Sequence, residues 1–286
     1  MSQALPFVEL PWCGRRVRIE VQRIAPARPP GHAPTLVFLH EGLGSVAMWR
    51  DFPRRLCDAA GVHGIVYSRP GYGRSTPREA HERWGIDFMH RQAHELLPAL
   101  LDALQVDRVA TTPWLLGHSD GGSIALLHAA RYPKQVAGVV VMAPHLFVEQ
   151  VSIASIQQAR HQYTHADLRQ RLARYHDDPD SAFWGWNDGW LDPPFAHWNI
   201  EAEIAPIACP LLAIQGVDDE YGTLQQIRAI ARRVPHTVPL ELPQCGHSPH
   251  RDQPQRVVDA VAGFIAADGR TEHQPTALAA TSGDTR

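Results

Sequence analysis

The amino-acid sequence predicts an α/β protein with a mostly parallel central sheet, helices on both faces and a small helical cap. Three observations lead there. Short continuous apolar runs such as Thr35-Leu36-Val37-Phe38-Leu39 and Val136-Ala137-Gly138-Val139-Val140-Val141-Met142 recur along the chain, the pattern of strands buried on both faces. Between them lie helical spans of 10–20 residues, the order of βαβ units with right-handed crossovers. The rhythm breaks over residues 150–200, where helical and aromatic segments replace strands.

The elements follow in order. Residues 7–12 and 16–22 alternate apolar and polar about Gly14 and predict an antiparallel hairpin. A proline-rich connection, Pro26 to Pro34, leads to the strand 35–39 and the loop His40-Glu41-Gly42-Leu43-Gly44-Ser45. A helix is expected from Trp49 to Ala60, a strand over 64–68, the loop Arg69 to Ser75, and a helix over 85–104. Trp114 to Leu116 reads as a strand, 121–131 as a helix and 136–142 as a strand. Helices over 150–163 and 166–177, then the aromatic, proline-containing piece 183–195, predict a cap over the carboxyl ends of the sheet. The α/β pattern resumes with a strand at 210–215, a helix at 222–233, a strand at 237–242 and a helix at 253–267. The expected division is a core over 1–145, a cap over 146–205, the rest of the core over 206–268 and a disordered tail over 269–286, which is rich in Thr, Ala, Ser and Gly.

Bulk properties exclude several classes. At 286 residues, 44 % hydrophobic and 20 % charged, the chain can bury a core without staples. A net charge of −3 argues against nucleic acid and anionic membrane surfaces as partners. No apolar run reaches spanning length and no basic-then-apolar leader is visible. Cys13, Cys57, Cys209 and Cys245 lack metal-ligand spacing and are expected as buried free thiols, which fits a cytoplasmic location. The histidines include no His-Glu-x-x-His on one helix, so no metal site is expected. A monomer or homodimer is equally compatible.

The chemistry centres on Gly117-His118-Ser119-Asp120-Gly121-Gly122, between an apolar strand and an amphipathic helix. Gly-x-Ser-x-Gly alone is a weak signal; the strand and helix around it give it weight, because together they hold a serine on a sharp turn with its hydroxyl exposed. Serine needs a base, and the base an orienting acid. His247, in Gly246-His247, follows the strand 237–242, and Asp219 follows the strand 210–215. The order Ser119, Asp219, His247 is Ser…Asp…His.

With these residues the chain resembles an α/β-hydrolase-fold serine hydrolase of the small, helical-capped type, over roughly residues 15–267. The resemblance rests on the loop His40 to Gly44, the turn Gly71-Tyr72-Gly73-Arg74-Ser75, the elbow, the acid loop and Gly246-His247. The Ser-Asp-Gly-Gly elbow resembles that of valacyclovirase-like members, which hydrolyse small esters. The resemblance implies Ser119 as nucleophile, His247 as base and Asp219 as its orienting acid, with the backbone N–H groups of Gly42 and Asp120 as oxyanion hole and no cofactor. Asp218 is the alternative acid and His250 the alternative base. One departure is Glu41, where the family loop carries glycine: it either makes a local hydrogen bond or, with Asp120, makes the pocket mouth acidic and favours neutral or cationic substrates. His145 follows strand 136–142 and either faces the cleft or is a core histidine. Trp184, Trp186, Trp190 and Phe195 either wall the substrate pocket or pack on one another.

The expected function is hydrolysis of small carboxylic esters through an acyl-enzyme. Thioester and C–C bond hydrolysis use the same triad, and a ligand-binding receptor on the same scaffold is the reading from another class.

Overall fold

The computed structural model describes residues 7–28, 33–108 and 111–271. Eight strands form one sheet in the order β1-β2-β4-β3-β5-β6-β7-β8. The hairpin β1 (Phe7–Trp12) and β2 (Arg15–Ile24) is antiparallel, as is the β2–β4 pair. From β4 (His63–Tyr67) through β3 (Thr35–Leu39), β5 (Trp114–His118), β6 (Gly138–Met142), β7 (Leu211–Gly216) and β8 (Thr237–Leu242), every pair is parallel.

The apolar runs are double-sided strands, and the side-chain alternation divides them between two cores. Val37, Leu39, Leu115, Val139, Val141, Leu211 and Ala213 enter one; Leu36, Phe38, Leu116, Val140, Met142, Leu212 and Ile214 enter the other. The second core is closed by α1 (Phe52–Ala60), which opens on Pro53 and stops at Gly61 with φ 67°.

The expected helix 85–104 is one helical stretch in three parts: α2 (Phe88–Arg91), a π-helical turn Gln92–Leu96, and α3 (Leu97–Ala103). Pro98 explains the interruption. It has no N–H to give, and its ring crowds the carbonyl one turn back. Two carbonyls of the interrupted stretch are bonded from α4 (Asp120–Arg131) and the residue that follows it: His128 Nδ1 lies 2.8 Å from the Ala93 carbonyl and the Tyr132 hydroxyl donates to that of His94 at 3.0 Å.

The insertion between β6 and β7 contains α5 (Gln150–His165), α6 (Leu168–Leu172) and α7 (Pro179–Trp190). The helix expected over 166–177 is thus only one turn and a half. Conversely, the aromatic piece is a helix: Pro179 starts α7, and the Asp178 carboxylate caps it by accepting from Ser181 N–H at 2.9 Å. Past β7 come α8 (Gln225–Arg233), then α9 (Pro249–Asp252) and α10 (Pro254–Thr271), the last helix being divided at Pro254. α10 packs on α1 over the second core. Cys57, Cys209 and Cys245 are buried thiols, but Cys13 is exposed, because it sits at φ 49° on the hairpin turn. The proposed tail lies outside the described residues except at its start, which continues α10. Among the described residues no helix is long and apolar enough to cross a membrane.

Candidate active site

Ser119 stands between β5 and α4 with φ 52° and ψ −121°, a strained conformation for a residue with a side chain, costing about 1–3 kcal/mol. Its neighbours hold it there. Ser119 N–H donates to the Met142 carbonyl at 2.9 Å, and the Ser119 carbonyl accepts from Gly122 N–H at 2.8 Å. The two motif glycines permit the bend: a Cβ at Gly117 would lie 2.1 Å from the Gly121 carbonyl oxygen, and one at Gly121 would lie 2.1 Å from that of Leu39. The first turn of α4 leaves the Asp120 N–H without an intrahelical acceptor, at the positive end of the helix.

The loops after β7 and β8 bring an acid and an imidazole to this serine. His247 Nε2 lies 2.9 Å from Ser119 Oγ, and His247 Nδ1 lies 2.9 and 3.0 Å from the two Asp219 carboxylate oxygens. A carboxylate only accepts, so Nδ1 carries the proton and Nε2 is free to accept from the serine hydroxyl. Asp219 is itself held: Oδ1 accepts from Tyr221 and Gly222 N–H at 2.8 and 3.2 Å, and Oδ2 from Gln215 Nε2 at 2.8 Å. Burial opposes ionisation of both partners, but their mutual hydrogen bond and charge win. The Asp219 carboxyl is held below its ordinary value and the His247 imidazole above its own.

The rival residues lie elsewhere. Asp218 is exposed, its N–H donating to the Cys245 carbonyl at 2.9 Å. His250 is buried with its ring 4.9 Å from Trp49 and 5.3 Å from Phe52, and burial pushes its pKa down to about 3.

Asp120 is fully buried beside Ser119. Trp190 Nε1 donates to its Oδ1 at 3.0 Å, while the Arg69 guanidinium stands 3.9 Å from Oδ2. Burial nonetheless raises its pKa. Arg69 escaped the sequence reading. It is buried under the His40–Gly44 loop, donates to the Glu41 carbonyl at 2.9 Å, and sends its N–H to His40 Nε2 at 3.0 Å. A signal was present: an arginine directly after the apolar run of β4 has to be buried or turned outward, and Pro70 fixes the turn that buries it.

Glu41 extends from the same loop to His118, with Oε2 3.4 Å from Nδ1. The structure thus gives it a local partner, and Asp120 has Arg69 and Trp190, so both negative charges at the mouth are compensated from within. His145 is buried with its ring 4.9 Å from Trp190 and 5.8 Å from His247, and burial lowers its pKa to about 3.

These residues surround a cavity of about 230 Å³ between sheet and cap. Glu41, Gly42, Ser119, Asp120, His145, Trp186, Trp190 and His247 line it, together with Ile156, Tyr221, Glu220 and Arg251, which the sequence reading did not single out. Trp184 and Phe195 are not among its walls. Trp184 packs on Tyr163 and Phe183, and Phe195 stacks on Trp198 and Phe88. Cap and core meet closely at the loop, where a Cβ on Gly42 would lie 2.1 Å from Trp186 Nε1.

Residues 36–260 match the sequence profile of the alpha/beta hydrolase family. The chain belongs to that family. It is 23 % identical over 244 residues to a 2-hydroxy-6-oxo-6-phenylhexa-2,4-dienoate hydrolase of Burkholderia cepacia, covering 76 % of this chain and 82 % of that protein. It is 26 % identical over 167 residues to the serine hydrolase BPHL of Mus musculus, covering 54 % and 53 %. Against the monoglyceride lipase of Homo sapiens it is 29 % identical over 117 residues, covering 41 % of this chain and only 37 % of the lipase. Most of these curated relatives are therefore matched over about half their length or less. Among solved structures, a carboxylesterase of Nitrososphaera gargenis superposes with a TM-score of 0.69 at 18 % identity, covering 92 % of this chain and 99 % of that one. The enol-lactonase of Burkholderia xenovorans superposes with 0.66 at 20 %, covering 87 % and 97 %. At such identities the likeness is one of fold.

Proposed function

We propose that the chain is a serine hydrolase of small carboxylic esters working through an acyl-enzyme. The observation that carries this reading is the continuous hydrogen-bonded line from Asp219 through His247 to Ser119 Oγ, ending in a partly aromatic cavity. Ser119 Oγ attacks the ester carbonyl carbon while its proton passes to His247 Nε2. The carbonyl oxygen becomes the oxyanion and is held by the N–H groups of Asp120 and Gly42, one such donor being worth about 10²–10³ in rate. The C–O bond then breaks, and the alkoxide leaves with the proton from His247. Water gives its proton to the same nitrogen, adds to the acyl-enzyme, and the acid departs as Ser119 recovers its hydrogen. Asp219 stays ionised and fixes the imidazole tautomer. The steps need no metal and no cofactor. A cavity of about 230 Å³ walled by Trp186, Trp190, Tyr221 and Ile156 favours a compact acyl group.

The test is turnover of p-nitrophenyl acetate against butyrate, with fluorophosphonate labelling mapped by mass spectrometry. Activity and an adduct on Ser119, both lost in Ser119→Ala, are expected. Absence of labelling and of turnover with every acyl substrate, with tight small-molecule binding retained, would leave a receptor instead. A second reading draws on the Burkholderia cepacia dienoate hydrolase, which this chain matches over most of its length. The same triad would cleave a C–C bond, and faster turnover of a dienone than of any ester would favour it.

A further inference from the structure

His118 precedes the nucleophile and has no part in the steps above, yet it is 1 % exposed and both its ring nitrogens are engaged. Nε2 lies 2.7 Å from the main-chain carbonyl of His247, and Nδ1 lies 3.4 Å from Glu41 Oε2. A carbonyl oxygen can only accept, so Nε2 bears a hydrogen. An ionised carboxylate can only accept as well, so a bare Nδ1 would set lone pair against lone pair where the imidazole is shut off from water. A proton on Nδ1 resolves the conflict and makes the pair imidazolium and carboxylate. The Glu41 carboxyl agrees: burial acts to raise its pKa, but the hydrogen bond and charge of His118 hold it well below the carboxylate range.

The loop is shaped for this contact. A Cβ at Gly44 would lie 2.4 Å from Glu41 Oε2 and 2.7 Å from His40 Cβ. Gly44 therefore leaves the room that Glu41 occupies, which accounts for a carboxylate standing where the family loop has glycine. The pair joins three segments: the loop carrying Gly42, the end of β5 carrying Ser119, and the loop carrying His247. His247 is then fixed at three points, its ring by Asp219, its N–H by Glu220 Oε2 at 3.1 Å and its carbonyl by His118.

We propose that Glu41 and His118 form a half-buried imidazolium–carboxylate clamp that positions His247 and the Gly42 loop for the reaction. The clamp rests on the hydrolase reading for its consequence, though not for its geometry. Facing it are His40 at the end of β3, His145 past β6, His247 and Glu220 from the two loops, and His250 and Arg251 from α9. Burial holds His40, His145 and His250 neutral.

Glu41→Ala is expected to lower kcat by roughly 10–100-fold with KM little changed, the signature of misplaced groups rather than weakened binding. Glu41→Gln, whose amide can donate to a neutral His118, recovers most of that loss at pH 7. Glu41→Ala and His118→Phe together cost no more than the worse single change. Because His118→Phe can fail to fold, ¹⁵N spectra of the unaltered protein provide the direct measurement: both ring nitrogens of His118 should carry protons at neutral pH. A bare Nδ1 overturns the clamp, as does an unchanged kcat in Glu41→Ala. Fluorophosphonate labelling separates the two readings. If Ser119 labels normally and Glu41→Ala behaves as the parent, the clamp alone fails. If Ser119 never labels, the hydrolase reading fails, and the spectra still decide the clamp.

Discussion

Two carboxylates flank Ser119, and the regions that hold them treat them in opposite ways. Asp219 sits in the loop after β7, where four donors converge on its oxygens: two backbone N–H groups, the Gln215 amide and the His247 imidazole. Asp120 opens α4 beneath the cap, with one donor from Trp190 and a guanidinium at 3.9 Å, and its Oδ2 makes no hydrogen bond among the described residues. Solvation by the protein decides the outcome: the first is held ionised below its ordinary pKa, the second is pushed above its own. A carboxylate beside a nucleophile is thus not one kind of group. On the proposed mechanism one orients the base; the other ties the cap, through Trp190, to Arg69 in the core.

The largest expected effect breaks the first of these. Asp219→Asn keeps the shape but lets an amide hydrogen face Nδ1, which favours the wrong imidazole tautomer. A fall in kcat of about 10⁴-fold is expected, with no comparable loss of stability. The residual activity should also change its pH dependence. The base acts when neutral, so activity falls as pH drops through the His247 pKa. Asp219 raises that pKa, and the acid limb should therefore move to lower pH in the variant. A limb that stays put would mean that the carboxylate does not set the base.

Asp120→Ala should do the reverse, with a small effect on rate because the backbone N–H at position 120 remains. It leaves the Arg69 charge buried with its carboxylate partner gone, a loss of about 3–5 kcal/mol measured by denaturant unfolding. If kcat instead fell as far as in Asp219→Asn with stability intact, the assignment of Asp120 as a strut would be wrong.

The contact that brings the cap onto this region can be tested one step further away. Gly42→Ala places a methyl group 2.1 Å from Trp186 Nε1, so α7 must move, at a cost of about 1–3 kcal/mol. Trp186→Ala in the same chain opens that space, and the double variant should lose less stability than the sum of the singles. Strict additivity would show that cap and loop are not packed as described.

The sequence revealed these regions unequally, and the reason is physical. Strands buried on both faces announce themselves by composition, so β3 to β7 were legible, and the ends of β5, β7 and β8 located Ser119, Asp219 and His247. What periodicity does not carry is contact between distant loops. Arg69, His118 and Tyr221 matter through partners far away in sequence, and no spacing rule links position 41 to 118. Gln215 is intermediate: an amide in the otherwise apolar run of β7, one strand-end from the acid, was a visible anomaly. The aromatic segment 183–195 hid a helix because Trp, Phe and Gly are poor helix formers in isolation. Packing of Phe183 on Tyr163 at 3.7 Å and of Trp190 on Phe195 at 4.9 Å supplies what propensity lacks.

The smallest effect is the sharpest on the comparison, because its sign differs between the two acids. Asp219 has a depressed pKa in the folded state, so its contribution to stability is present above pH 3.8 and is lost as pH falls through the folded value below it. Asp120 has a raised pKa, so the folded state binds the extra proton between pH 3.8 and the folded value, and stability falls as pH rises through that window. Unfolding free energies of the parent, Asp219→Asn and Asp120→Asn, taken as differences across pH 3–6, should therefore slope in opposite directions. The buried neutral histidines His128 and His250, with pKa values pushed down to about 4 and 3, also weaken the fold on acidification, but they are common to all three chains and cancel in the differences. Two slopes of the same sign would mean that the protein solvates both carboxylates alike, and the distinction between orienting acid and strut would fall.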